Sequence, residues 1–206
     1  MNYSKFKKRA GEIESKFGGF RGLPLENLDM RVLAPNHLLN FGSHLLNFGS
    51  GSTSYADLCE KETRLDPDES VNPDYCDIDD IPEEIYFDAV IANQVFEHIE
   101  KDAIMKITSS ISKRMKKGAK IIVTLPNICN WIKYIGDIDH KTPLSFYQMG
   151  SFLELSGIHV IDSYRYTKRP EEILYATKEE KFLLEVLKKY FEIDPANFVA
   201  VVGEKI

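Results

Sequence analysis

The stretch His44–Asp66, HLLNFGSGSTSYADLCEKETRLD, decides the fold class. It opens on a short apolar run, His44-Leu45-Leu46-Asn47-Phe48, and turns through Gly49-Ser50-Gly51-Ser52. Thr53–Lys61 then reads as a short helix-like segment that Ser52 or Thr53 can cap, and a second strand, Glu62–Leu65, ends at Asp66. Strand, tight turn and helix start make a corner suited to a nucleotide. Glycines let the backbone approach a ligand, and a helix N-terminus offers unpaired N–H groups. An acid at the end of the next strand can accept from two ribose hydroxyls, as at nucleoside sites of open α/β sheets.

Outward from this corner, strand and helix patterns alternate. Tyr75–Ile78 reads as a third strand. Phe87–Ala92 (FDAVIA) is a continuous apolar strand, as expected where both sheet faces are covered. Asn93-Gln94 follows at its C-terminal end, where ligands bind in such sheets. Ile104, Ile107, Ile111 and Met115 form the stripe of a helix closed by Lys116-Lys117-Gly118, and Lys120–Leu125 is the next buried strand. Ser145–Ser156 is a helix. Ile158–Tyr166 and Phe198–Gly203 are strands on either side of a helical stretch, Lys178–Phe191. The alternation by itself implies an α/β fold.

Read together, LLNFGSGS…RLDPD…YCDIDDIP…FDAVIANQVFEHI…KIIVTLPN resembles the class I S-adenosylmethionine-dependent methyltransferases, over roughly Leu45 to Gly157. The resemblance implies a Rossmann-like, seven-stranded, mostly parallel sheet with an antiparallel C-terminal hairpin and helices on both faces. It implies S-adenosylmethionine as cofactor. Gly49, Ser50 and Gly51 would hold its methionine part, Asp66 its ribose, and Asp77 with the Ile78 backbone its adenine. Asn47 and Asn93, at the ends of the first and fourth strands, complete the expected cofactor set. Two positions depart from the family pattern: Asn47 stands where an acid is usual, and Ser52 where a third glycine is usual.

Methyl transfer from a sulfonium needs mainly positioning, with a base if the nucleophile is a hydroxyl. His98 and His140 are the expected catalytic residues, His98 beside the cofactor pocket and His140 in the loop after the fifth strand. In some relatives, the small-RNA 2′-O-methyltransferases and the ubiquinone-pathway O-methyltransferases, a Glu-x-x-Glu-His with a later His holds a divalent metal. The match here is Gln94-Val95-Phe96-Glu97-His98 with His140. Gln94 replaces the first acid, and an amide is a weaker, neutral ligand, so the reading without a metal is preferred. Trp131, Tyr134, Phe146 and Tyr147 are candidates for an acceptor pocket or for ordinary packing.

Composition bounds the rest. The chain has 206 residues, 43% hydrophobic and 28% charged, with net charge -6. One domain is expected over 1–206, an N-terminal helix and connection over 1–36 and the core over 37–206. The acidic balance argues against a nucleic-acid partner. Cys59, Cys76 and Cys129 lack metal or disulfide spacing and read as reduced thiols of a cytoplasmic protein. No apolar run reaches the ~20 residues of a membrane span.

Tyr3–Phe17 reads as an amphipathic helix, either a solvated face or a lid over the pocket. His37–Ser43 and His44–Ser50 are the same seven residues in tandem, and only the second copy completes the glycine turn. The expected function is O-methylation of a small-molecule or sugar-like acceptor. A non-catalytic binding or scaffold protein of the same fold is the alternative, motivated by Asn47 and Ser52. A nicotinamide oxidoreductase is disfavoured, because Gly49-Ser50-Gly51-Ser52-Thr53-Ser54 lacks the third glycine of that fingerprint.

Overall fold

The computed structural model describes residues 2–19, 23, 25–26, 44–130, 134–167, 176–191, 193–194 and 196–206. The first HLLNFGS copy and Trp131 lie outside them, while the second copy supplies a strand. The strands are β1 (Leu25–Glu26), β2 (His44–Phe48), β3 (Lys61–Leu65), β4 (Phe87–Asn93), β5 (Met115–Pro126), β6 (Ile158–Tyr166) and β7 (Phe198–Lys205). The helices are α1 (Tyr3–Lys16), α2 (Lys101–Arg114), α3 (Phe146–Leu155) and α4 (Lys178–Phe191). The sheet order is β1-β6-β7-β5-β4-β2-β3. Pairs β2/β3, β2/β4 and β4/β5 are parallel, and β7 lies antiparallel between β5 and β6. This is the expected Rossmann-like mixed sheet with its C-terminal antiparallel pair.

Three expectations are corrected. Six of the seven expected strands form. Tyr75–Ile78 contributes only a single bridge, Leu65 to Tyr75, and the sheet's other member is the two-residue β1 beside β6. The run Tyr75-Cys76-Asp77-Ile78 is short and followed by acids, and Asp77 caps a 3-10 turn at Ile78–Asp80 by accepting from Asp79 N. The segment after the glycine turn is also not a helix. Only a 3-10 turn, Ala56–Leu58, stands between Gly51 and β3, since so short a stretch cannot offset helix nucleation. Finally, α2 ends at Arg114, so Lys116-Lys117-Gly118 lies within β5.

The core follows strand alternation. Leu46, Phe48, Val90, Ala92, Ile121 and Val123 point to one face, where they pack with Phe6 and Ile13 of α1, Ile104 and Ile111 of α2, and Phe146, Met149 and Phe152 of α3. Leu45, Ala89, Ile91, Ile122 and Val202 point to the other, where Tyr55, Leu58 and Cys59 from the short 3-10 segment join them. Helices were expected on both faces. Among the described residues, the helices that join the sheet's apolar clusters do so on one.

Helix α1 begins at Asn2, whose side chain accepts from Lys5 N. Its apolar face packs on α3, with the Phe6 and Phe152 ring centroids 4.8 Å apart. Burying Phe6 and Ile13 contributes about 1.5–3 kcal/mol each. That contact gives α1 a structural role. Helix α3 starts with a capping box between Ser145 and Gln148. No described helix is long and apolar enough to cross a membrane.

Candidate active site

The C-terminal ends of β2, β3 and β4 open onto a cavity of about 380 Å³ lined by Phe48, Gly49, Asp66, Asp77, Ile78, Gln94, Val95 and His98, among others. Parallel strands place these residues together, because each ends at the same edge of the sheet. Gly49, Asp66, Asp77, Ile78 and His98 thus meet at one place, though they span more than forty residues of sequence.

The glycine turn has an unexpected hydrogen-bond pattern. Gly49 N and Ser50 N both donate to Leu65 O, at 2.8 and 3.1 Å, and Gly51 N donates to Asp66 Oδ2 at 2.7 Å. Thr53 N donates to Ser50 O. The turn's amides therefore face β3 and each other, not a ligand. Gly49 and Gly51 have φ of +67° and +48°. At Gly49 a Cβ would lie 2.4 Å from a Val95 methyl, so only glycine lets β4's end close on the turn.

Asp66 is half-buried. Besides Gly51 N its carboxylate accepts from Asp68 N at 3.0 Å, which leaves lone pairs facing the cavity. Asp77 is exposed at the cavity rim. Asn47 and Asn93 are not among the cavity-lining residues. Asn47 is 2% exposed, and its amide donates to Thr53 O and Glu62 Oε1, each at 2.9 Å. Asn93 Oδ1 accepts from Thr124 Oγ1 at 2.6 Å. Ser50 is buried within the turn. Gln94 takes a left-handed φ of +58° and donates from Nε2 to Thr124 Oγ1 at 3.1 Å.

Beside the cavity, Glu97, His98 and His140 bring their ligand atoms within 4.8 Å of one another. Glu97 and His98 sit on a 3-10 turn, Phe96–His98, ahead of α2. The loop carrying His140 is tied to this turn: Lys141 N and Thr142 N both donate to Glu97 O, at 2.8 and 3.0 Å. His98 Nδ1 lies 3.2 Å from Asp139 O, and His140 Nδ1 lies 2.7 Å from Tyr134 O. A carbonyl only accepts, so in each neutral ring Nδ1 carries the proton and Nε2 the lone pair. Asp137 Oδ2 stands 3.7 Å from His140 Nε2.

Glu97 is 1% exposed, and among the described residues neither carboxylate oxygen has a hydrogen-bond partner. Burial, with a smaller contribution from Asp137, pushes its carboxyl up to about 8. The Tyr134 hydroxyl is likewise buried and has no hydrogen-bond partner among the described residues, and burial followed by the Glu97 charge raises its pKa. The Tyr134 ring lies on His140 with centroids 4.7 Å apart. Sequence reasoning named Tyr134 as a candidate for an acceptor pocket or ordinary packing and gave Glu97 no more than a motif position. Glu62 and Arg64, which hold the glycine turn, it missed; the one available signal was the charge alternation Glu62, Arg64, Asp66 along β3 and just past its end.

The sequence matches no protein-family model, and no curated protein matches it significantly. The structure is similar to solved ones. A SAM-dependent methyltransferase from Archaeoglobus fulgidus aligns with a TM-score of 0.68 at 18% identity, over 95% of this chain and 99% of that one. An S-adenosylmethionine-dependent methyltransferase from Mesorhizobium loti aligns with a TM-score of 0.59 at 12% identity, over 86% and 98%. Phosphoethanolamine N-methyltransferase 2 of Haemonchus contortus, in complex with S-adenosyl-L-methionine, aligns with a TM-score of 0.57 at 16% identity, over 91% and 53%. The chain has the fold of the class I S-adenosylmethionine-dependent methyltransferases.

Proposed function

We propose that this chain is an S-adenosylmethionine-dependent methyltransferase that acts on a hydroxyl of a small-molecule or sugar-like acceptor. One observation carries the cofactor reading. The cavity offers an acid for ribose hydroxyls, yet the amides of Gly49, Ser50 and Gly51 are spent on β3 and no helix follows the turn. A dinucleotide needs such amides and a helix N-terminus for its pyrophosphate. An adenosyl cofactor without phosphate does not. This also argues against a nicotinamide oxidoreductase.

In this reading Asp66 accepts from the ribose hydroxyls, Asp77 and Ile78 lie at the adenine, and the turn at Gly49–Gly51 faces the methionine part. When bound, S-adenosylmethionine would supply a methyl group for transfer to the acceptor oxygen, with S-adenosylhomocysteine as the other product. The proton from the acceptor hydroxyl passes to an imidazole Nε2, with His140 as base and His98 beside it.

Glu97, His98 and His140 also fit a divalent cation, as an alternative to His140 acting as base, since one Nε2 lone pair cannot both ligate an ion and take the proton. A buried carboxylate with no hydrogen-bond partner among the described residues and two imidazoles with Nε2 lone pairs are a donor set for a borderline transition metal. Glu97, His98 and His140 would hold it, and backbone carbonyls already orient both rings. Such an ion would lower the pKa of an acceptor hydroxyl. Gln94 is turned to Thr124.

The test is calorimetric titration with S-adenosylhomocysteine, followed by methyl-transfer assays over a panel of hydroxylated acceptors. His140→Ala is expected to leave cofactor affinity unchanged and cut turnover about 10²–10⁴-fold. Cofactor binding with no turnover on any acceptor would favour the non-catalytic alternative.

A further inference from the structure

In this chain a glycine turn stands without the helix that would anchor it. The turn and the segment after it instead hang on side chains of β3, the strand that follows. Glu62 and Arg64 alternate along that strand and Asp66 follows just past its end, so period-2 geometry puts Glu62 and Arg64 on one face. Glu62 Oε1 accepts from Tyr55 N and from Asn47 Nδ2, each at 2.9 Å, and Oε2 accepts from Ser54 Oγ at 2.6 Å. Arg64 Nη2 donates to Gly51 O at 2.6 Å and to Val71 O at 3.1 Å, while Nη1 reaches Asn72 O at 3.3 Å. Asp66 completes the row by accepting from Gly51 N.

We propose that Glu62 and Arg64 are positioning residues of the cofactor site, which hold the glycine turn and the segment to Tyr55 in the conformation that receives the cofactor. The inference rests on the reading of that turn as the cofactor cradle. Each residue has a separate task. Glu62 gathers three donors from two segments, and through Asn47 it ties the end of β2 to the loop. Asn47 occupies the position where the family pattern has an acid, and Glu62 brings a carboxylate to its amide from the neighbouring strand. Arg64 clamps Gly51 to the loop at Val71–Asn72. A planar guanidinium can reach carbonyls of two loops at once, and a lysine ammonium cannot reproduce that fork.

Neither residue lines the cavity, so neither is expected to touch the cofactor. Their effect is pre-organisation: a loop already held in its bound form has less conformational freedom to lose on binding. Loss of either clamp should therefore appear in affinity, not in the chemical step.

The experiment is calorimetric titration of S-adenosylhomocysteine into wild type, Glu62→Ala, Glu62→Gln, Arg64→Ala and Arg64→Lys, with melting temperatures measured in parallel. Glu62→Ala and both arginine variants are expected to weaken binding about tenfold or more, whereas Glu62→Gln, which keeps an acceptor oxygen, stays within about threefold. Amide exchange at residues 49–55 should speed up in the weakened variants. Ser163→Ala serves as the control: it removes a buried bond to Ala200 O far from the turn. It should lower the melting temperature and leave affinity unchanged.

Wild-type affinity in Glu62→Ala and Arg64→Ala would overturn the inference and leave the cofactor reading standing. A wild-type protein that binds no S-adenosylhomocysteine would overturn both. Should Glu62→Ala fail to fold, Arg64→Lys and Glu62→Gln decide: equal affinity in both would overturn the assignment to Arg64, and a tenfold loss in Glu62→Gln would overturn the geometric role given to Glu62.

Discussion

Glu97 and His140 come from separate segments and bring ligand atoms within 4.8 Å of each other. With that of His98 these atoms form one cluster, and among the described residues the Glu97 carboxylate has no hydrogen-bond partner. Leaving a buried carboxylate unpaired costs stability unless the group is neutral or meets a cation. Two expectations follow, one for each way of satisfying it.

Added Mn²⁺ or Zn²⁺ is expected to raise the melting temperature. Binding at a hundredfold excess over Kd adds about 2.7 kcal/mol, or roughly 5–10 °C for a domain of this size. Glu97→Gln and His140→Ala should abolish the shift. Differential scanning fluorimetry with and without chelator reads this without any acceptor or cofactor. An equal shift in wild type and both variants would place the ion elsewhere.

Without a cation, Glu97 makes stability depend on pH. Its carboxyl stands at about 8 against an ordinary 4.5. Below pH 4.5 the group is protonated in folded and unfolded chains alike, and it has no effect. Between 4.5 and 8 the unfolded chain releases a proton that the folded chain keeps, so stability falls as pH rises. Above 8 both are ionised and the loss is constant. The full swing is a few kcal/mol at ~1.4 kcal/mol per pH unit. Urea unfolding in chelator from pH 5 to 9 should show this slope in wild type and a flatter profile in Glu97→Gln. Parallel profiles would mean that Glu97 is hydrated or paired in solution.

These contrasts mark what the sequence made legible. Apolar runs such as FDAVIA and the Ile104–Ile111 stripe located strands and helices, because burial leaves a period that survives without any knowledge of the fold. The glycine turn and Asp66 came from motif spacing, which a parallel sheet converts directly into proximity. The missing helix after Gly51 was not legible, because TSYADLCEK is too short to reveal whether tertiary contacts favour a helix or a loop. Glu62 decides it by taking Tyr55 N and Ser54 Oγ, and nothing local to residue 62 announces those partners. The burial of Glu97 was equally hidden. The motif names Glu97, but nothing near it in sequence shows that a second loop is anchored on Glu97 O through Lys141 and Thr142.

The two glycines of the turn should respond differently to alanine. At Gly49 a Cβ meets Val95 at 2.4 Å on a φ of +67°, so Gly49→Ala combines left-handed strain with overpacking, about 2–5 kcal/mol together. At Gly51 the φ is +48° and no atom lies within 4 Å, so Gly51→Ala is expected to cost about 1–2 kcal/mol from backbone strain alone. Denaturant midpoints measure both. Equal costs would show that β4 does not close on the turn at Val95.

Asp66→Ala tests the cofactor site most directly. The carboxylate has two tasks at once: it accepts from Gly51 N to shape the turn, and its remaining lone pairs face the cavity where ribose hydroxyls are expected. The alanine variant loses both, and S-adenosylhomocysteine binding should fall by a factor of a hundred or more, since two charge-assisted hydrogen bonds contribute about 1.5–3 kcal/mol each. Asp66→Asn keeps an acceptor for Gly51 N but loses the charge, so it should fall between wild type and Asp66→Ala in titration calorimetry. If Asp66→Asn binds like wild type while Asp66→Ala does not, the residue shapes the turn and another group holds the ribose. If Asp66→Ala itself retains affinity, the ribose acid is misassigned, and the exposed Asp77 at the cavity rim becomes the next carboxylate to replace.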